Sequence, residues 1–456
     1  TGEATNSLTP ELVIALCGPI GSPLHEAAGQ IAHALSEYGY VTETLRLSDL
    51  IRLNAGMVNA TVDKSSKFTE IRSLIDIGDA LRKDFGHDVL AKLAIAKISG
   101  DRRKKYGEFS DKVSESETPG PSRIEAQRIC HVIDSIKNSS ELALHRLIYG
   151  HSLFPVGVFS PLEMRQRNLE RPGALRSDEV AKLIDTDSGE EFSHGQSVRD
   201  TFPKCDFFLR VDHAVVGPSE PKAIAQLVEK LRTFFGLVFK TAVVTPTGEE
   251  TAMYSAASAA RNSACLSRQV GAAVTTSAGE LLSVGWNDVP RSGGGLYGKP
   301  TLSKISVVQG GPSTSDDERC FAQTGAVCHN DVEKKAIAEK VVESLVGNGL
   351  LTADQASAAA KTIMSDSRVK DLIEFSRAVH AEMHAILGAS RVGGDRVIGG
   401  KLFVTTYPCH SCARHIVAAG ISEVHYIEPY RKSLATRLHR DSLTESATEK
   451  SLVRLL

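Results

Sequence analysis

Short apolar runs alternate with amphipathic stretches along the whole chain, the pattern of α/β domains. Residues 12–17 form an unbroken apolar run, followed by Gly18-Pro19-Ile20-Gly21-Ser22 and a helically spaced stretch, 24–38. Residues 39–47 alternate and predict a second strand, so the chain opens as strand, glycine loop, helix, strand, like a nucleotide-binding unit. Helical periodicity covers 67–98, whereas 101–123 is polar and rich in breakers, which predicts a loop. Strands at 129–134, 153–159 and 205–211 then alternate with helices at 140–149, 161–170 and 177–186, and a helix at 220–235 closes this half.

A joint at 241–247 separates a second α/β half, giving expected domains of 1–240 and 241–456. It begins with a helix at 249–264 and strands at 270–275 and 281–284. A Gly/Ser/Asp-rich insertion, 287–330, and helices at 331–346 and 353–366 follow. Helix, strand, helix and strand at 380–389, 401–405, 410–419 and 422–427 complete it.

Composition narrows the function classes. The 456 residues carry 53 Lys+Arg against 55 Asp+Glu, a formal charge of -2, which argues against a protein built to grip a polyanion. No apolar run approaches the ~18–20 residues of a membrane helix, and the opening TGEATNSLTPE does not read as a secretory signal. Eight cysteines are too few for a disulfide scaffold of this size, so a reducing cytoplasm is expected.

Four of the residues around those cysteines carry chemistry. His380-Ala381-Glu382 is followed by Pro408-Cys409-His410-Ser411-Cys412. One imidazole and two thiolates supply three ligands to Zn²⁺ and leave the fourth tetrahedral position for water, the plan of a catalytic site. A Cys-x-x-Cys that opens a helix favours the thiolate. Glu382, beside the His ligand, is the natural proton carrier. A Cys-x-x-Cys alone would equally suit a structural zinc or a redox pair. The His-x-Glu partner and the proline make the whole pattern that of zinc-dependent nucleobase deaminases. His384 lies four residues from His380, but a zincin needs Glu directly after the first His, where Ala381 stands, so His384 is expected to support the site or the core.

In the first half, Gly18, Gly21 and Ser22 lie where a phosphate-binding P-loop would be. Its last three places, normally Gly, Lys and Ser/Thr, are Pro23, Leu24 and His25, so the charge that supports ATP hydrolysis is missing and only regulatory nucleotide binding is left open. Asp134 ends a strand and could act as a Walker-B carboxylate or begin a turn. Cys17, Cys130 and Cys205 lie in apolar runs and are expected to be buried and inert.

Longer segments carry a resemblance. Ser263-Ala264-Cys265-Leu266-Ser267-Arg268-Gln269-Val270-Gly271-Ala272 and Gly285-Trp286-Asn287 resemble the deoxycytidylate (dCMP) deaminase family. The resemblance implies that Asn287 contacts the nucleotide sugar, that Arg268 lies near the site and that the backbone at Ala381 reads the pyrimidine edge. It also places Tyr407 on the pocket wall, though ordinary packing serves Tyr407 as well, and a surface charge serves Arg268. Some relatives hold a second, structural zinc, and Cys265, Cys320, Cys328 and His329 offer four ligands of the right kind.

Ile133-Asp134-Ser135-Ile136-Lys137-Asn138, Leu147 to Gly150, Gly157 to Pro161, Asp185 with Asp187, and Gly195 to Thr201 resemble the kinase-like half of bacterial two-domain anti-phage deoxycytidylate deaminases. Glu428-Pro429-Tyr430, Lys432-Ser433-Leu434-Ala435 and Leu438-His439 with Asp441-Ser442 are similar to their deaminase half. The fold this implies is an N-terminal P-loop kinase-like three-layer domain joined to a cytidine-deaminase-like α/β/α domain. The implied activity is zinc-dependent deamination of free dCTP and dCMP, emptying the dCTP pool during phage infection. A homo-oligomer, a small inhibitory RNA and an allosteric deoxynucleotide are the implied partners. Two other readings stand beside this one: a polynucleotide cytosine deaminase, and a nucleotide-sensing regulator whose zinc is structural.

Overall fold

The computed structural model describes residues 11–106, 128–170, 175–187, 198–297, 306–308, 311–313, 319–323, 325–428, 433–446 and 449–456. The chain forms two compact units, Thr1–Val244 and Thr245–Leu456.

The first unit is built on five parallel strands: β1 Leu12–Cys17, β2 Val41–Arg46, β3 Ile129–Asp134, β4 Leu153–Phe159 and β5 Phe207–Arg210. Their order is β2-β3-β1-β4-β5. The unbroken apolar run of β1 follows from burial on both faces. Leu12, Ile14 and Leu16 join one core with α1 (Leu24–Glu37), while Val13 and Ala15 join a second on the other face. That second core takes in α2 (Leu47–Asn54), α3 (Lys67–Phe85) and α4 (Val89–Tyr106). Helices α5 (Ser139–Tyr149), α6 (Leu162–Leu169), α7 (Ser177–Asp187) and α8 (Glu220–Val238) complete the unit, α8 closing the first core through Phe234 and Phe235. The result is a three-layer α/β unit, as expected.

Three expectations are corrected. The alternating stretch 39–47 ends as a strand at Arg46, and Leu47 already begins α2, whose Leu47, Leu50 and Ile51 are buried at helical spacing. The predicted loop at 101–123 starts later, because α4 continues to Tyr106; Lys97 pairs with Asp101 at 2.6 Å one turn on and carries the helix through its charged end. Residues 107–123 and Gly195 to Ser197 lie outside the described residues. The helical stretch 67–98 is broken at Gly86, whose φ of 100° ends α3.

The loop after β1 is pinned from several sides. Gly21 has φ +83°, and a Cβ there would fall 2.7 Å from the Arg165 carbonyl oxygen. Asn168 donates to Gly21 O at 2.9 Å, and Lys137 Nζ donates to Gly18 O at 2.8 Å. Cys17, Cys130 and Cys205 are buried, and burial pushes the Cys130 thiol up to about 12.

The second unit begins with α9 (Gly248–Ala260) and contains a six-stranded mixed sheet. Its strands are β6 (Gly271–Thr275), β7 (Leu281–Trp286), β10 (Lys401–Thr406), β11 (Glu423–Glu428), β12 (Leu443–Thr444) and β13 (Val453–Leu455), ordered β12-β13-β11-β10-β6-β7. A separate two-stranded ribbon, β8 (Ser306–Val308) and β9 (Gly311–Ser313), belongs to the insertion. Strands β6 and β7 are antiparallel, and β10 runs parallel to β11. Helices α10 (His329–Gly347) and α11 (Ala356–Asp366) follow the insertion, then α12 (Ala381–Gly393), α13 (His410–Ala418) and the short α14 (Ala435–Leu438). Ala272, Val274, Leu402, Val404 and Val424 face α12 and α13 on one side, while Ala273 and Phe403 face α9 on the other. The last two strands were not foreseen, because each is only two or three residues long.

One buried group in the first unit is costly. His145 on α5 has no exposure, both ring nitrogens lack hydrogen-bond partners, and burial pulls its pKa down to about 4. The unfolded chain therefore takes up this proton first as the pH falls. The associated stability is complete above about pH 6.5, erodes toward pH 4, and amounts to roughly 3 kcal/mol at ~1.36 kcal/mol per pKa unit. His145→Leu is expected to flatten the pH dependence of urea unfolding over that window, and an unchanged slope would refute the assignment.

Candidate metal and active site

Two helices of the second unit begin at the same point. His380 is the N-cap of α12 and Cys409 the N-cap of α13. The starts converge because α12 packs closely on β7: a Cβ on Gly285 would lie 2.4 Å from Ala385 N and 2.5 Å from Ala381 O. Only glycine permits that approach.

His380 Nδ1 lies 3.4 Å from Cys409 Sγ and 3.3 Å from Cys412 Sγ, and all three donor atoms fall within 4.8 Å of one another. With Zn–S near 2.3 Å and Zn–N near 2.05 Å, a tetrahedral zinc separates N and S ligands by about 3.6 Å. The donor set therefore fits zinc in both chemistry and spacing. Among the described residues it is the only group of three or more such side chains.

The electrostatics follow from crowding these groups at two helix N-termini. Cys409 Sγ accepts from the Cys412 N–H at 3.4 Å. The Cys412 thiol and the His380 imidazole pull Cys409 down to about 4, a thiolate at neutral pH, while the same hydrogen bond and burial push Cys412 well up. The bond to Cys409 raises His380 to about 9. A bound cation displaces these protons, so metal affinity falls in acid. Glu382 is 5% exposed; burial, and then the Cys409 charge, push it up to about 7. A buried carboxyl titrating near neutrality is the usual signature of an acid–base group.

A cavity of about 580 Å³ opens beside these residues. His380 and Cys412 line it with Val379, Met383, His410 and Arg414, and Glu374 lies 3.7 Å from His410. Sequence reasoning passed over His410 and Arg414, although their positions within and just after Cys-x-x-Cys were the available signal.

The other candidate residues do not line this cavity. Asn287 is buried; its Oδ1 accepts from Val270 N–H and its Nδ2 donates to Arg268 O, each at 2.7 Å. It thus fastens segment 268–270 to the end of β7. Arg268 pairs with Glu428 at 2.9 Å. Ala381 is fully buried in the first turn of α12. Tyr407 belongs to the core, donates to Glu445 at 3.0 Å and stands edge-on to Tyr426. His384 Nδ1 accepts the Trp286 N–H at 3.2 Å, supporting the β7 end.

The structure does not gather Cys265, Cys320, Cys328 and His329 into a second cluster. Cys328 Sγ contacts Ser267 Oγ at 3.5 Å, and His329, which begins α10, bonds Gln323 at 2.9 Å. Segment 429–432 of the resemblance lies outside the described residues. At the neck of the insertion, Asp288 and Val379 form a β-bridge, Val379 N–H donating to Asp288 O at 2.9 Å. The buried Arg319 pairs with Asp288 at 3.2 Å.

Residues 246–428 match the family described as cytidine and deoxycytidylate deaminase zinc-binding region. The second unit thus contains a region similar to cytidine and deoxycytidylate deaminase zinc-binding regions. ComE operon protein 2 of Bacillus subtilis (strain 168) is 45% identical over 56 residues, 12% of this chain and 29% of that protein. The deoxycytidylate deaminase of Enterobacteria phage T2 is 42% identical over 55 residues, again 12% of this chain and 29% of that protein. These matches therefore span less than a third of either relative. Among solved structures, the dCMP deaminase of cyanophage S-TIM5 with dCMP and dUMP matches 47% of this chain and 98% of its own, at 17% identity and TM-score 0.25. A shikimate kinase of Aquifex aeolicus matches 49% of this chain and 98% of its own, at 11% identity and TM-score 0.25. No described helix is long and apolar enough to cross a membrane.

Metal analysis should find one zinc per chain. Cys409→Ser and Cys412→Ser should each lose it and lower the melting temperature of the second unit, whereas Cys320→Ser should retain it.

Proposed function

We propose that the second unit is a zinc-dependent hydrolytic deaminase of free deoxycytidine nucleotides, converting dCMP and dCTP to dUMP and dUTP with release of ammonia. The observation that carries this reading is the convergence of His380, Cys409 and Cys412 on one point, with the buried Glu382 two residues from His380 in the first turn of α12. Zinc in the His380–Cys409–Cys412 donor set would bring the pKa of a bound water to about 7. Glu382 then handles the protons. It takes a proton from water and donates it to ring N3 as the hydroxyl oxygen adds at C4, then takes the remaining proton from that C4 hydroxyl and passes it to the amino nitrogen as the C4–N bond breaks. Oxygen stays on C4 and ammonia leaves, so the overall change is one water in and one ammonia out.

A free nucleotide fits better than a strand. The chain is near neutral overall, and His410, Arg414 and His439 at the cavity supply the few positive or polar contacts a single phosphorylated substrate requires. The names of the matched relatives support deoxycytidylate as the substrate class. Extended to the cell, the reading is a cytoplasmic enzyme that drains the dCTP pool during phage infection. It would act as an oligomer, be silenced by a small RNA and respond to another deoxynucleotide. Asn287 would contact the sugar, Ala381 the base edge, and Arg268 and Tyr407 the surroundings.

The deciding assay incubates the purified chain with dCMP, dCTP, CMP, CTP and single-stranded DNA, with and without chelator, and measures the uracil product. Free dCMP or dCTP should be turned over and chelator should abolish it; turnover of the strand alone would favour the polynucleotide reading. Glu382→Gln should cut kcat by about 10³-fold with zinc content unchanged. Wild-type turnover in that variant would sink the mechanism, and the absence of any turnover would favour a structural zinc.

A further inference from the structure

The first unit holds a cavity of about 430 Å³ with no part in the deaminase reading. It lies outside the carboxyl ends of β1 and β3, where the strand order β2-β3-β1-β4-β5 changes direction, and such crevices in open parallel sheets take ligands. Its volume suits a small organic molecule. One wall is apolar, formed by Leu47, Ile51, Leu74 and Leu90 from α2, α3 and α4. The other is the pinned loop after β1 and the first turn of α1, which has no side-chain cap. Ser22 lines this wall, and its hydroxyl oxygen is buried with no hydrogen-bond partner. Arg52 and Lys67 stand at the rim, joined through Glu70 at 2.8 and 3.0 Å.

The place where a magnesium ion would lean is taken. His25 occupies the Ser/Thr position of a P-loop, and its Nδ1 lies 2.5 Å from Asp134 Oδ2, a carboxylate with 3% side-chain exposure. Leu24, at the lysine position, is buried. The apolar wall and polar loop remain, while the cation seat is replaced by an imidazole–carboxylate pair.

We propose that this cavity binds a nucleoside phosphate without a divalent cation, its base against the apolar wall and its phosphate at Ser22 and the start of α1. Phosphoryl transfer leans on magnesium and the P-loop lysine, so the ligand is held and not turned over. Adenine nucleotides are suitable probes because they offer the deaminase site no cytosine.

Equilibrium binding of ATP, AMP and inorganic phosphate to the full chain, in magnesium-free and magnesium-containing buffer, tests the proposal. ATP or AMP should bind at least tenfold tighter than inorganic phosphate, with less than a threefold change on adding magnesium. Leu74→Trp, which fills the apolar wall, should weaken binding at least tenfold, with its circular dichroism spectrum as the folding control. Ser22→Val, which removes the hydroxyl at nearly constant size, should weaken it at least threefold. His25→Ser should make binding tighten with magnesium. Failure of both nucleotides to bind, a tenfold magnesium requirement in the wild type, phosphate binding as tightly as AMP, or nucleotide binding untouched by Leu74→Trp and Ser22→Val would each overturn it.

Discussion

The site of the second unit depends on the contact between α12 and β7. Gly285 lets the helix backbone lie directly on the strand, and this fixes where α12 begins. His380 sits at that beginning and Glu382 in the first turn, so ligand and proton carrier are set by a single backbone approach. The strand β10 delivers α13 to the same point, with Cys409 at its start. Three donors therefore meet through the placement of two helix ends, each bringing unpaired N–H groups that favour negative charge. The low pKa of Cys409 and the raised one of Glu382 are two results of this arrangement. One group gains a helix end and a proton donor; the other is closed off from water.

The two units use related architecture for different chemistry. Both place a loop and a helix start at the carboxyl end of a central strand. In the second unit the loop carries Cys-x-x-Cys and the crevice becomes a metal site. In the first, the equivalent loop carries Pro23, Leu24 and His25 where a P-loop has Gly, Lys and Ser/Thr, and its conformation is held by Asn168, Lys137 and the close contact at Gly21.

Much of this was legible in the sequence where local pattern and tertiary demand agree. The apolar runs at Leu12, Ile129 and Leu153 are central parallel strands buried on both faces, so their composition alone marks them. His380, Glu382, Cys409 and Cys412 were legible because metal chemistry restricts residue type and spacing together. What sequence could not give were facts of juxtaposition. Asn287 bonds backbone groups of Arg268 and Val270, and Tyr407 donates to Glu445. Cys265, Cys320, Cys328 and His329 have the right chemistry but are not gathered at one point. The short strands β12 and β13 are held by pairing, β13 to β11 and β12 to β13, and leave no periodic signal of their own.

The bridge between Asp288 and Val379 gives the insertion a particular mechanical status. The chain leaves the body formed by the six-stranded sheet and helix α12 at Asp288 and returns at Val379, and the two ends are hydrogen-bonded to each other one residue from Asn287 and from His380. The clasp joins the two ends of this segment, and Glu374 within it lies 3.7 Å from His410, so the segment is tied to the site both at its neck and along the cavity wall.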